Sequence, residues 1–515
     1  MYNKITSYPN ARRDLPKPDQ MAQASDNGAV ISFIVAKADV KRVKSALEQY
    51  PECSLLNKAK KIHKQHEGSK IEGGDELFVI PTRISVPTGG VDGEDARGRL
   101  VRKYPLLAEI LPIIERIEIS EDITSLQSSK PSKGGPLFEA VQSWVLLLPP
   151  ELITSLGTTV GDLLSTAPTS YSIYSGMLLL TASSFQGDMW KALFSRLDAS
   201  LKIQLYEAIA NRFGVTHIAA NSPIPLENRE SNPNILRSPV NLLPLYGDFG
   251  PVCSSPPTKA DFDEALWVAA RQNGITQLWA PLYTMFSRGN ITEKARLLSL
   301  PSVTDAIAEG KSGGRGCAVV DLYVGIGYFV FSYLKAGASK VLCWELNPWS
   351  VEGLRKGAEA NKFSFQLVEG SVDLDSIAQD SGLDVIVFQE SNEHAGAKLE
   401  AMRNALPPIR HVNCGLLPSS RDSWATAVRT IDPCLGGWIH LHENIATSDI
   451  EQISSEILKE ICEIVRLSVA DVVALEPGSN TYACDRVRLE HVERVKTYAP
   501  GIMHCVLDVY IPPKK

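Results

Sequence analysis

No two of the nine cysteines stand at a CxxC or other metal-ligand spacing; Cys53, Cys253, Cys317, Cys343, Cys414, Cys434, Cys462, Cys484 and Cys505 are scattered singly. That pattern argues against a zinc module or a disulfide framework, and most of them read as reduced, buried small hydrophobes. No run of about 18 uninterrupted apolar residues occurs, and the opening MYNKITSYPNARRDLPKPDQ lacks the apolar core of a signal peptide. No membrane association is expected, and the cytosol or nucleus follows, with a cytoplasmic location as the working expectation. An excess of basic charge is missing too: the net charge is −7, so nucleic-acid binding is not advertised, although an average can hide a local basic face. Internal repeats are absent. What is present is an ordinary globular composition, 44% hydrophobic and 22% charged over 515 residues. That length allows about two to four domains, each with its own core.

Residues 1–27, rich in Pro, Asn, Asp, Ser and Gln and without hydrophobic period, read as a disordered arm. From Ala29 onward, AVISFIVAKADVKRVKSALEQY predicts a strand and then an amphipathic helix with Val40, Val43 and Leu47 near one face, and ELFVIPTRI reads as a return strand. Residues 28–135, ending in the linker SSKPSKGGP, therefore form a small α/β region. It carries Lys37, Lys41, Arg42, Lys44, Lys58, Lys60, Lys61, Lys64 and Lys70, a set that is either a solvated face or a phosphate-contacting surface. A middle α/β region, 136–260, contains KALFSRLDASLKIQLYEAIANRFG, a helix expected to stop at Gly214, and closes with a Pro/Ser/Asn-rich stretch over 222–260.

Residues 261–515 carry the chemistry. CAVVDLY, KVLCWE, DVIVFQE, HVNCGLLP and GGWIHLHEN are apolar runs separated by helix-length segments, and RVRLEHVERV and MHCVLDVYI close the set. The fold class is α/β, with a C-terminal doubly wound, mostly parallel, seven-stranded sheet. Ligands of such sheets sit at the carboxyl ends of the strands. There, Gly325 and Gly327 in DLYVGIGY permit a tight turn, and a helix beginning near Tyr328 presents its N–H groups. Glu345 follows about 20 positions later, where an anionic acceptor meets ribose hydroxyls. The third glycine of a dinucleotide fingerprint is replaced by Phe329 or Val330, and Asp321 precedes the loop. An acid there is a poor neighbour for a pyrophosphate and a good one for an ammonium. S-adenosyl-L-methionine is therefore preferred to NAD.

DLYVGIGYF, WELNPWSVEGLR, MFSRGNITEKAR (285–296), NCGLLPSS (413–420), GGWIHLHEN and VERVKTYAPGIMH together resemble the tRNA wybutosine-synthesizing protein 2 family. More distantly they resemble the methyltransferases acting on guanosine N1 in the same anticodon-loop position. The likeness covers roughly residues 265–512 and implies a class I methyltransferase type of sheet. It also implies transfer of the 3-amino-3-carboxypropyl group of S-adenosyl-L-methionine to the tricyclic guanine derivative at position 37 of phenylalanine tRNA, leaving methylthioadenosine. The alternatives are a methyltransferase acting on guanosine 37 and a non-catalytic RNA-binding protein.

Carried over by motif, the resemblance places cofactor contacts at Ser287, Arg288 and Lys294, at the Asp321–Gly327 loop including Tyr323 and Gly325, and at Glu345. Lys294 or Arg288 would hold the methionine carboxylate. The adenine contact is expected at Ser391 and Asn392, which makes 364–383 an insertion; Gly370 and Ser371 in VEGSV compete for that role. The Asn-Pro-Pro-aromatic turn that clamps an exocyclic amine in many such enzymes is absent. Asn413, Pro418 and Ser419 are expected to line the base pocket, with Leu416 and Leu417 either beside them or in the core. Strand alternation puts His440 and His442 on one face, and either histidines satisfied by their neighbours or RNA and base contacts by His442 and Asn444 are expected rather than a metal pair. No catalytic base is identifiable. A base presented from an anticodon loop, with the rest of the tRNA gripped through phosphates, makes the 30–90 unit and RGRLVRK (97–103) candidate grips.

Overall fold

The computed structural model describes residues 28–36, 39–47, 60–61, 77–87, 100, 102, 104, 108, 110–120, 135–222, 234–239, 241–251, 256–370, 372–470 and 486–514. The chain divides into two compact units, Met1–Gly135 and Pro136–Lys515. In the first, β1 (Gly28–Ala36), α1 (Val40–Leu47), β2 (Lys60–Lys61), β3 (Leu77–Pro87) and β4 (Ile114–Ser120) form a sheet of order β2-β3-β1-β4 with one helix. Ile31, Phe33 and Val35 alternate along β1 and meet Val43 and Leu47 of α1, so the period of two and the period of 3.6 bury the same core. The arm 1–27, Lys37, Lys58, Lys64, Lys70 and most of 97–103 lie outside the described residues, as do the side chains of Lys60 and Lys61.

The second unit opens with a four-stranded sheet, β5 (Tyr171–Tyr174), β6 (Met177–Leu180), β7 (His217–Ala220) and β8 (Leu243–Tyr246), covered by α2 (Pro136–Val145) and α3 (Ala199–Phe213). Helix α3 starts where Asp198 accepts the Leu201 N–H at 2.8 Å and stops at the left-handed Gly214, φ 63°. A hairpin, β9 (Val268–Gln272) and β10 (Ile275–Trp279), leads on to the main sheet.

That sheet has eight strands, one more than expected. Its members in chain order are β11 (Ala318–Asp321), β12 (Lys340–Trp344), β13 (Phe365–Val368), β14 (Val385–Phe388), β15 (Ile409–Cys414), β16 (Gly437–Ala446), β17 (Arg488–Ala499) and β18 (Ile502–Ile511). Their spatial order is β13-β14-β12-β11-β15-β16-β18-β17, parallel through β16, with β18 antiparallel to both neighbours. The additional strand is β13: the 364–383 segment folds onto the open edge of β14, leaving β14 to pair with β12. Every residue of β11, β12, β14 and β15 is buried; β14 and most of β11 and β12 accordingly read as continuous apolar runs, whereas β15 also buries Arg410, His411 and Asn413. Val320 and Leu342 enter the core on one face, Val319, Val341 and Cys343 that on the other.

Helix α4 (Ile291–Leu297) is tied to this sheet by buried charge. Arg296 bonds bidentately to Glu293 at 2.8 and 2.7 Å and reaches Asp508 of β18 through both carboxylate oxygens, at 2.5 and 3.1 Å. Asp508 also accepts from His440 Nδ1 at 2.7 Å, and His440 Nε2 meets His411 Nδ1 at 3.0 Å. Burial alone would raise the Asp508 carboxyl; His440 and Arg296 overcome it and hold the group well below the usual carboxylate range. A depressed carboxyl contributes stability above its unfolded value of about 3.9 and loses it as pH falls towards the folded one. Arg296→Met strands two buried carboxylates. It should cost about 3–5 kcal/mol in urea unfolding at neutral pH and flatten the loss of stability below about pH 4. A wild-type midpoint in the variant would contradict this account.

Candidate active site

The chain leaves β11 at Asp321 and turns through Gly325 (φ 54°) and Gly327 (φ 83°), both in the region that favours glycine. A Cβ on Gly327 would lie 2.6 Å from Leu354 and 2.7 Å from the Phe331 ring, so the turn lies flat on the helices beneath it. Glu345, just beyond β12, hooks this turn in place: Oε2 accepts the Gly325 N–H at 2.9 Å and Oε1 the Asn347 N–H at 2.7 Å. Burial raises its pKa, and the backbone N–H bonds oppose the rise. On the other side, Glu345 N donates to Phe388 O at 3.2 Å, so the ends of β11, β12 and β14 converge.

A cavity of about 300 Å³ opens over these ends. The glycine turn supplies Leu322, Tyr323, Gly325, Tyr328 and Phe329, and the end of β12 supplies Trp344, Glu345 and Leu346. Glu390 and Asn392 follow β14, while Gly415, Leu416 and Leu417 follow β15. Ser287 and Asn290 come from the segment before α4, Lys496 and Tyr498 from β17, and Ile235, Leu236 and Arg237 from the Pro/Ser/Asn-rich stretch of the middle region.

Ser287 lies in this lining as expected, accepting from Lys496 Nζ at 3.0 Å and donating to Asn290 Oδ1 at 3.1 Å. Lys294 does not line it. Its ammonium is buried against Gln277 Oε1 (2.6 Å) and Gln272 Oε1 (3.1 Å), 4.6 Å from the Phe286 ring centre, and burial with the nearby Lys496 pushes its pKa down to about 7. Arg288 donates to Ser172 Oγ at 2.9 Å and is also outside the lining. Lys294 and Arg288, the expected carboxylate holders, thus stand outside the lining, and the lysine that faces the cavity is Lys496, its pKa pushed down by burial.

Asp321 is fully buried under the turn. Its Oδ1 accepts the Tyr323 N–H at 3.2 Å, the Asn413 amide of β15 lies beside the carboxyl, and burial raises the pKa to about 7. Gly327 contributes backbone only, its carbonyl accepting from Gln277 Nε2 at 2.7 Å. Asn392 lines the cavity and donates to Leu322 O at 2.9 Å, whereas the Ser391 hydroxyl turns to the Glu393 N–H at 3.3 Å. The competing Gly370 follows edge strand β13 and is not in the lining; Ser371 lies outside the described residues.

The expected base-pocket residues differ more. Asn413 is still inside β15, in register with Asp321, and is buried. Pro418 O accepts the Asn444 N–H at 2.9 Å, Ser419 donates to Glu443 at 3.0 Å, and His442 Nδ1 meets His504 Nε2 at 3.0 Å. None of Asn413, Pro418, Ser419, His442 or Asn444 lines the cavity; because β15 ends at Cys414, Gly415–Leu417 takes that wall instead. His440 and His442 each pair with a different neighbour, and among the described residues no cluster of three or more His, Cys, Asp or Glu could hold a metal ion. Among the described residues no helix is long and apolar enough to cross a membrane.

Lys496 and Tyr498 were missed although VERVKTYA was read as a motif; their i, i+2 spacing on a strand was the available signal. The 235–237 contribution had none, since the stretch reads as a linker.

No family model matches the chain. It is 37% identical to tRNA wybutosine-synthesizing protein 2 of Schizosaccharomyces pombe over 485 residues, 93% of this chain and 99% of that protein. It is 34% identical to tRNA wybutosine-synthesizing protein 2 of Saccharomyces cerevisiae over 396 residues, 68% of this chain and 75% of that one. A solved structure of P. horikoshii TYW2 in complex with MeSAdo is similar at TM-score 0.43 and 16% identity, covering 74% of this chain and 100% of that one.

Glu345→Gln replaces an acceptor-only carboxylate by an amide that cannot accept at both positions. It should weaken S-adenosylmethionine binding by about tenfold or more in calorimetry. Unchanged affinity would remove Glu345 from the binding site.

Proposed function

The chain belongs to the tRNA wybutosine-synthesizing protein 2 family, and on that premise we propose that it transfers the 3-amino-3-carboxypropyl group of S-adenosyl-L-methionine to the tricyclic wybutosine precursor base at position 37 of phenylalanine tRNA, releasing methylthioadenosine. It is thus an S-adenosylmethionine-dependent transferase. The observation that carries this reading is the pairing, in one cavity, of an acid fixed at the glycine turn with a lysine at Ser287. S-adenosylmethionine is a long zwitterion whose ribose, ammonium and carboxylate need different partners. Glu345 suits the ribose hydroxyls. Asp321, buried beneath the loop beside the Asn413 amide and with its pKa raised to about 7 by burial, gains from a cation next to the loop. Lys496, pushed down by burial and bonded to a neutral hydroxyl, gains from a carboxylate.

All three carbons on a sulfonium are electrophilic, so which one reacts depends on which is held in line with the nucleophile. The base attacks the γ-carbon of the amino acid chain, the carbon–sulfur bond breaks, and the pair of electrons stays on sulfur as methylthioadenosine forms. Each transfer to a neutral base also releases one proton. The chain's part is positioning. Lys496, Ser287 and Asn290 hold the amino acid end away from Glu345, so that the γ-carbon rather than the methyl faces the incoming base. We place the reaction in the cytoplasm.

Incubation with S-adenosylmethionine and tRNA bearing the tricyclic precursor should yield methylthioadenosine, and Lys496→Met should lower kcat/KM by about 100-fold. S-adenosylhomocysteine as the nucleoside product would overturn the reading in favour of methyl transfer, and an unaffected rate in the variant would remove Lys496 from it.

A further inference from the structure

Lys496 reaches the cavity across the backbone of Gly289. The 3₁₀ turn Arg288–Asn290 leads into α4, and its middle residue has no side chain where the lysine passes. A Cβ on Gly289 would lie 2.6 Å from Lys496 Cδ, 3.4 Å from Cε and 3.1 Å from Nζ. Carbon atoms pack at about 3.5–4.0 Å, so the distal stem of the lysine, ammonium included, occupies the space an alanine would need. The ammonium's acceptor is prepared on the same turn. Ser287 spends its hydroxyl proton on Asn290 Oδ1 at 3.1 Å, which leaves its oxygen to accept from Lys496 Nζ at 3.0 Å. Ser287, Asn290 and Lys496 all line the cavity, whereas Gly289 lies behind the lysine as its floor.

The backbone does not ask for glycine at this position. Gly289 is not among the glycines with positive φ, and the turn runs from the extended Ser287 (φ −85°, ψ 93°) into the right-handed Ile291 (φ −59°, ψ −39°). In helical backbone, glycine costs conformational entropy that alanine does not. The close approach of Lys496 is what requires it. Neither partner is free to withdraw as a whole: the turn is continuous with α4, which Arg296 ties to Asp508 of β18, and Lys496 stands on β17, paired with β18.

We propose that Gly289 is a positioning residue for the transfer. By offering no side chain, it lets Lys496 lie flat on the turn, and so sets where along the cavity the donor's carboxylate is held. A methyl group at position 289 displaces the stem and takes the ammonium off Ser287. The carboxylate then loses its fixed partner, although the positive charge stays on the chain. The inference rests on the transferase reading above, but concerns only how the lysine named there is placed.

Calorimetry of the full chain with S-adenosylmethionine tests this in a cycle of Gly289→Ala, Lys496→Ala and the double variant, with KM and kcat measured alongside. Gly289→Ala should keep the wild-type thermal midpoint, bind about tenfold more weakly and raise KM more than it lowers kcat. In the Lys496→Ala background no stem remains to displace, and adding Gly289→Ala should change the affinity by less than about twofold. Wild-type affinity in Gly289→Ala, or a loss that persists undiminished in the double variant, would overturn the proposal. If Gly289→Ala does not fold, recovery of the fold on adding Lys496→Ala supports the proposal, and no recovery overturns it. Lys496→Ala binding like wild type would overturn the lysine's part in the transferase reading and this inference with it. S-adenosylhomocysteine as the product would overturn that reading alone, because the cycle is read from affinity.

Discussion

The buried ion pair between Arg296 and Asp508 is the constraint on which the site's geometry hangs. Arg296 stands on the helix that follows Ser287 and Asn290; Asp508 stands on the strand next to the one carrying Lys496. One contact therefore fixes both sides of the cavity's cationic end relative to the sheet. Isolated, either charge would be costly at that depth; together with Glu293 and His440 they are saturated with hydrogen bonds. At the other end, Glu345 does for the glycine turn what Arg296 does for its helix. It converts two orphan backbone N–H groups into a fixed edge.

Between these anchors lies an arrangement suited to holding a zwitterion at full stretch. Acids lie at and beneath the glycine turn, a desolvated lysine stands at Ser287, and the space between is lined by Tyr, Phe, Trp and Leu side chains. The chemistry asks little more of the protein, because the sulfonium is already activated. Selecting one of three carbons is a matter of where the two ends are held.

Much of this was legible in the sequence. Strands β11, β12 and β14 are buried on both faces and so appear as largely apolar runs, and Gly325 and Gly327 follow from what the tight turn requires. The eighth strand was not, because β13 is a short edge strand of half-buried residues whose place depends on β14 having already paired with β12. Lys294 and Lys496 illustrate the harder limit. Both belong to quoted motifs, and only packing decides that one ammonium is consumed by two glutamines while the other faces the cavity. Asn413 was placed in the pocket because strand ends are hard to locate to a residue, and one residue inverts the direction of a side chain. Arg237 acts across 180 residues of sequence on a backbone carbonyl, a contact no local pattern records.

The central claim is that the amino acid chain, not the methyl group, leaves the sulfonium for the base. Mass spectrometry of the position-37 nucleoside, after the full chain has acted on precursor phenylalanine tRNA with S-adenosylmethionine, reads this directly. The account predicts a nucleoside heavier by one 3-amino-3-carboxypropyl group; a nucleoside heavier by one methyl, or unaltered, would contradict it.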